Sequence, residues 1–144
     1  MEKDRNGLTA IQTAEAITES FTYRDWPRLL TFCQWSWRRA TKKPQDNLSC
    51  RFGSVIGVKH INKILIDGAP GLNPKVAVDV SIWFQSNVGE GFRFFRMIKE
   101  DKNGVPSVNG SWGFNPISYR TMPKKAKAVK VSIFKRLLKK MGVR

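Results

Sequence analysis

The stretch Val76-Ala77-Val78-Asp79-Val80-Ser81-Ile82-Trp83-Phe84-Gln85 decides the architecture, because larger apolar residues recur at every second position along it. A period of two puts Val76, Val78, Val80, Ile82 and Phe84 on one face of a β-strand, with Ala77, Asp79, Ser81, Trp83 and Gln85 on the other. Asn87-Val88-Gly89-Glu90-Gly91 then turns the chain into Phe92 to Lys99, which predicts an antiparallel hairpin centred on Gly89. Asp101-Lys102-Asn103-Gly104 turns it again. A looser segment carrying Trp112, Phe114, Ile117 and Tyr119, broken by Pro116, is expected at a sheet edge.

Working upstream, Ile61 to Ile66 reads as another strand, followed by a loop over 67–74 that holds two prolines and two glycines. Leu48, Cys50, Phe52, Ile56 and Val58 read as one face of an earlier strand, bent at Gly53 and Gly57. Before that the period is helical. Leu8, Ile11, Ala14, Ile17 and Phe21 form one stripe. Asp25 caps a second helix whose apolar face is Trp26, Leu29, Leu30, Cys33 and Trp37, ended by Arg38, Arg39, Lys42, Lys43 and Pro44.

Downstream of Pro123 the helical period returns in Ala126, Val129, Ile133, Phe134, Leu137, Leu138 and Met141, with Gly142 placed to end it. The expected fold is therefore a single α+β domain over residues 1–144. Two N-terminal helices (1–46) precede an antiparallel meandering sheet of about four to five strands (47–120), and a basic C-terminal helix (121–144) packs on the sheet. At 144 residues, with five Trp and nine Phe, such a chain buries roughly two thirds of its unfolded surface.

Charge points to a partner. Residues 1–50 hold eight Lys/Arg against six Asp/Glu and residues 51–100 hold seven against four, but residues 101–144 hold eleven against one. Like charges at helical spacing, such as Lys135 with Lys139 and Arg136 with Lys140, repel unless something neutralises them. The expected contacts to phosphate are Lys124, Lys125, Lys127, Lys130, Lys135, Arg136, Lys139 and Lys140, extended by Arg38, Arg39, Lys42 and Lys43. The cluster Lys124-Lys125-Ala126-Lys127 is similar to the one that opens the last helix of double-stranded-RNA-binding domains, which implies phosphate contacts across a groove. A membrane surface would also suit an amphipathic basic helix.

A second contact surface is expected on the hairpin, where Trp83, Phe95 and Arg93 share the face turned away from the helices and could stack bases. Asp79, Glu100 and Lys102 come in an order that resembles a class of magnesium-dependent nucleases, which implies two metal-holding carboxylates and a lysine that orients water. His60 is the sole histidine, so no Cys and His zinc centre is expected, and neither glycine-rich stretch has a phosphate-loop spacing. No cofactor is expected. Cys33 and Cys50 read as reduced and buried.

The charged N-terminus lacks a secretory pattern, and no apolar run is long enough to span a bilayer. The combined expectation is an intracellular, cytoplasmic or nuclear, non-enzymatic protein that binds DNA or RNA. Its rivals are a self-assembling virion or sheath component with a basic end facing nucleic acid, and a nuclease acting through Asp79, Glu100 and Lys102.

Overall fold

The computed structural model describes residues 2–121, so the basic helix expected over 121–144 and its lysines, from Lys124 to Lys140, lie outside the described residues. Four short helices precede a four-stranded antiparallel sheet: α1 (Ala10–Thr22), α2 (Trp26–Thr31), α3 (Trp35–Ala40), α4 (Pro44–Phe52), β1 (His60–Gly68), β2 (Ala77–Ser86), β3 (Gly89–Glu100) and β4 (Ser111–Phe114). The strands lie in chain order β1-β2-β3-β4, a meander, and the class is α+β.

Thr9 opens α1 with a capping box. Its hydroxyl accepts from the Gln12 amide at 3.1 Å, and the Gln12 side chain accepts from the Thr9 amide at 2.9 Å. Two otherwise orphaned donors are thereby satisfied. The buried stripe of α1 is Ala10, Ala14, Ile17 and Phe21, which meets Val80, Ile82, Phe95 and Phe114 of the sheet in one core. Phe21, Phe52, Phe114 and Tyr119 pack edge-on or tilted, with centroids as close as 5.0 Å.

The long second helix expected from Trp26 to Trp37 is instead two helices. Asp25 caps α2 as expected, accepting from the Arg28 amide at 3.2 Å, but residues 32–34 straighten to pair with β4. The Phe114 amide donates to Phe32 O at 2.6 Å, and the Gln34 amide donates to Phe114 O at 3.0 Å. Edge pairing to a strand eighty residues away outweighs local helical period here. Gly113 permits the approach, because a Cβ there would lie 2.8 Å from the Gln34 Cα.

The strand expected from Leu48 is likewise corrected to helix. Lys43 adopts a left-handed conformation with φ of 45°, and Pro44 takes the first position of α4. Leu48 and Phe52 are one turn apart and both buried, while Cys50 turns outward. Residues spaced i, i+4 share a face in either periodicity, so only the middle residue distinguishes them.

The hairpin register is also corrected. The turn is centred between Asn87 and Val88, with Ser86 opposite Gly89, and Gly89 takes the positive φ of 115° that a side chain would resist. Asp79 consequently faces Arg96 rather than Lys99, and Trp83 faces Phe92 rather than Phe95. The displacement is three residues, an odd number, and an odd displacement exchanges the faces of an entire strand.

Candidate nucleic-acid interface

The inner face of the hairpin is closed by the helices. Val80, Ile82 and Phe84 of β2 are buried there together with Arg93, Phe95 and Met97 of β3. Arg93 and Phe95, expected beside Trp83 on the outward face, are therefore on the opposite side, 1 % and 0 % exposed. Neither can stack a base.

The outer face carries Trp83 and Leu65, each 38 % exposed, with Phe92 and Phe94 half-buried beside them. The Trp83 and Phe92 rings are 5.3 Å apart between centroids and tilted by 58°. Lys63 of β1 holds its ammonium 5.5 Å from the centre of the Trp83 ring, within the range of cation–π attraction. Arg96 stands on this face too, its Nε donating to Asp79 at 2.8 Å. That hydrogen bond, more than the accompanying charge, raises the Arg96 pKa against the smaller effect of partial burial. The face thus presents one accessible indole with a lysine over it and an arginine already neutralised.

At the edge of β3, the Phe94 amide donates to Arg120 O and the Arg120 amide to Phe94 O, both at 2.8 Å. Arg120 is the first residue of the stretch that holds ten cations and no anion. That stretch therefore starts beside the aromatic face.

The smaller basic cluster is partly committed to the fold. Arg38 lies 4.0 Å over the Trp35 ring and donates to Cys33 O at 3.0 Å, and its burial lowers its pKa. Arg39 is exposed but clasps the 101–104 turn, donating to Lys102 O at 2.6 Å and Asn103 O at 3.0 Å. Lys42 and Lys43 are exposed.

The candidate acidic set is not brought together. Asp79 is paired with Arg96, four residues along β3 from Glu100, or roughly 13 Å of strand. Glu100 is buried and accepts from Gln34 Nε2 at 3.0 Å, from the Ser36 amide at 3.1 Å and from Ser36 Oγ at 2.6 Å. It anchors the α2–α3 junction to the sheet. Lys102 is exposed in the turn. Among the described residues, no three His, Cys, Asp or Glu side chains form a group that could hold a metal ion, and no helix is long and apolar enough to cross a membrane.

Sequence reasoning missed Lys63, Phe92 and Arg96 as members of the Trp83 face. Placing the two-residue turn at Asn87-Val88, with the positive φ assigned to Gly89, would have found Phe92 and Arg96. The Lys63 placement also depends on a bulge between Ile61 and Lys63, which no residue type announces. The fold defines the class, an α+β domain with helices on one side of a four-stranded meander. The chain matches no protein-family model, no curated protein and no solved structure.

Proposed function

We propose that this is a non-enzymatic nucleic-acid-binding protein in which the basic C-terminal stretch meets phosphates and the Trp83 face meets bases. The observation that carries the reading is the pairing of Arg120 with Phe94, which starts the +10 end of the chain at the edge of the aromatic face. Lys124, Lys125, Lys127, Lys130, Lys135, Arg136, Lys139 and Lys140 supply the charge. Trp83 and Lys63 supply a stacking surface and a cation beside it. On this reading the protein works where nucleic acid is, inside the cell or within a virion.

Binding to labelled single- and double-stranded DNA and RNA across a salt series tests the proposal. If about six phosphates are engaged, log affinity for duplex DNA falls with log salt at a slope of roughly −5. A flat dependence would overturn it. Trp83→Ala weakens single-strand binding by about 1 to 3 kcal/mol if the indole stacks a base, while leaving the salt slope unchanged.

An assembly role is favoured by a different observation, the exposure of Leu65 and Trp83 on adjacent strands of one sheet face. Sedimentation in the absence of nucleic acid separates the two readings. A discrete high-order oligomer that dissociates on Leu65→Lys supports assembly.

A further inference from the structure

β1 stands first in the order of the sheet, so one of its two edges has no strand beside it. Among the described residues, no backbone group outside the sheet bonds to Ile64, Leu65 or Ile66. The Ala69 amide donates to Ala77 O across the β1–β2 pair, and hydrogen-bonded positions alternate along an antiparallel strand. Asp67, Leu65 and Lys63 therefore turn their N–H and C=O groups to β2, while Ile64 and Ile66 turn theirs to the open edge. A bare edge of this kind is a template for another strand. No proline interrupts Lys63 to Asp67, and the bulge of β1 lies upstream, between Ile61 and Lys63.

The side chains say which strand fits. Lys63, Leu65 and Asp67 are exposed and share the outer face, while Ile64 and Ile66 are half-buried on the inner one. Laid antiparallel against a copy of itself with Leu65 opposite Leu65, the strand sets Lys63 opposite Asp67 at both ends and Ile64 opposite Ile66 between them. Ile64 and Ile66 are the residues whose backbone faces the edge, so they exchange the hydrogen bonds. Leu65 with Leu65 and Lys63 with Asp67 fall at the alternate positions, where side chains approach more closely. Centring the pair on Ile64 would set Asp67 against Ile61, and centring it on Ile66 would set Asp67 against Leu65. Charge therefore selects one register.

Within one copy these charges are left open. Asp67 stands opposite Asp79 in the β1–β2 register, and Asp79 is already held by Arg96. The ion pairs among the described residues are Arg28 with Glu19 and Arg96 with Asp79, so neither Asp67 nor Lys63 has one. We propose that two copies of this chain pair through antiparallel β1 edges, joining their four-stranded sheets into one continuous sheet with Lys63 of each copy beside Asp67 of the other. The two-fold axis relating them is perpendicular to the sheet, so both Trp83 faces lie on the same side. The pairing is independent of what the basic end of the chain binds.

Sedimentation velocity of the full chain, freed of nucleic acid, tests this over a concentration series up to about 100 µM, where a micromolar Kd fills the dimer. A dimer is expected. Asp67→Lys sets lysine against lysine at both ends and weakens it about tenfold, and adding Lys63→Asp restores the pairing with the charges exchanged. Ile64→Pro removes an N–H that no bond inside the sheet uses, and it abolishes the dimer while the circular dichroism spectrum is retained. If Ile64→Pro does not fold, the Asp67→Lys series decides the matter, because both of its positions are exposed. The proposal is overturned by a monomer throughout the series, by a dimer that persists in folded Ile64→Pro, or by one that Asp67→Lys leaves unchanged or Lys63→Asp fails to restore.

Discussion

Arg93 and Arg96 stand three residues apart on β3 and meet opposite fates. Arg96, on the outer face, is one-third exposed and bonded to Asp79 across the strand pair. Arg93, on the inner face, is enclosed by aromatic rings with two nitrogens unsatisfied. The same side chain is a surface ion pair in one place and an uncompensated buried charge in the other. The two faces of one hairpin therefore do different work: the inner face holds the core with one buried charge inside it, and the outer face offers an indole beside the start of the basic end of the chain.

The sharpest break in that comparison is a pair of aromatic truncations. Phe95→Ala, at a fully buried inner position, is expected to cost about 3 to 5 kcal/mol in urea unfolding, while Trp83→Ala on the outer face costs less than half as much. Equal losses would mean that the two faces are equally enclosed. Next comes Glu100→Ala, which strands the donors of Gln34 and Ser36 and is expected to cost about 3 kcal/mol. The same measurement on Asp79→Ala should give about 1 kcal/mol, the upper end for a partly exposed pair. If Asp79 proved the costlier, the anchoring role given to Glu100 would be wrong.

The arginines themselves give a smaller and more telling contrast. Arg96→Met should lose about 1 kcal/mol with the ion pair. Arg93→Met should stay within about 1 kcal/mol of the parent in either direction, because an apolar chain of similar volume removes a buried charge that lacks a partner. A loss above about 3 kcal/mol at Arg93 would show that the rings and the Ile56 carbonyl already satisfy it.

The smallest effect at neutral pH concerns the thiols. Cys33 is buried and its pKa is pushed from 9.0 to about 12, burial outweighing the pull of Arg38, whereas Cys50 is exposed. A thiol reagent at pH 8 should label Cys50 promptly and Cys33 only on unfolding. Between pH 9 and 12 the unfolded thiol releases its proton and the folded one keeps it. Folding stability therefore falls as pH rises through that window, and thermal melts of Cys33→Ala should show a shallower decline.

Much of the fold was legible. The α1 stripe, the Asp25 cap, the loop after β1 and the alternation of β2 all carry periods or turn residues that act locally. What failed were the elements whose state depends on distant partners. Trp26 to Trp37 has a continuous helical stripe, yet residues 32–34 leave the helix for β4. Leu48, Cys50 and Phe52 alternate as a strand would, although Pro44 followed by Asp46 in the first turn was a helix-start signal. The site was less legible than the fold: Trp83 was placed outward correctly, but a turn misplaced by an odd count carried Arg93 and Phe95 to its side.

By itself the sequence determined the α+β class, the meander implied by successive turns, the outward position of Trp83 and the concentration of charge after Arg120. These follow from local period, turn chemistry and a count of ionisable groups. Only the tertiary structure decided which β3 residues share a face with Trp83, that residues 32–34 pair with β4, and that Arg93 is sealed beside Tyr119. Register and burial depend on which distant backbones meet, and a single residue in the turn is enough to exchange an exposed arginine for a buried one.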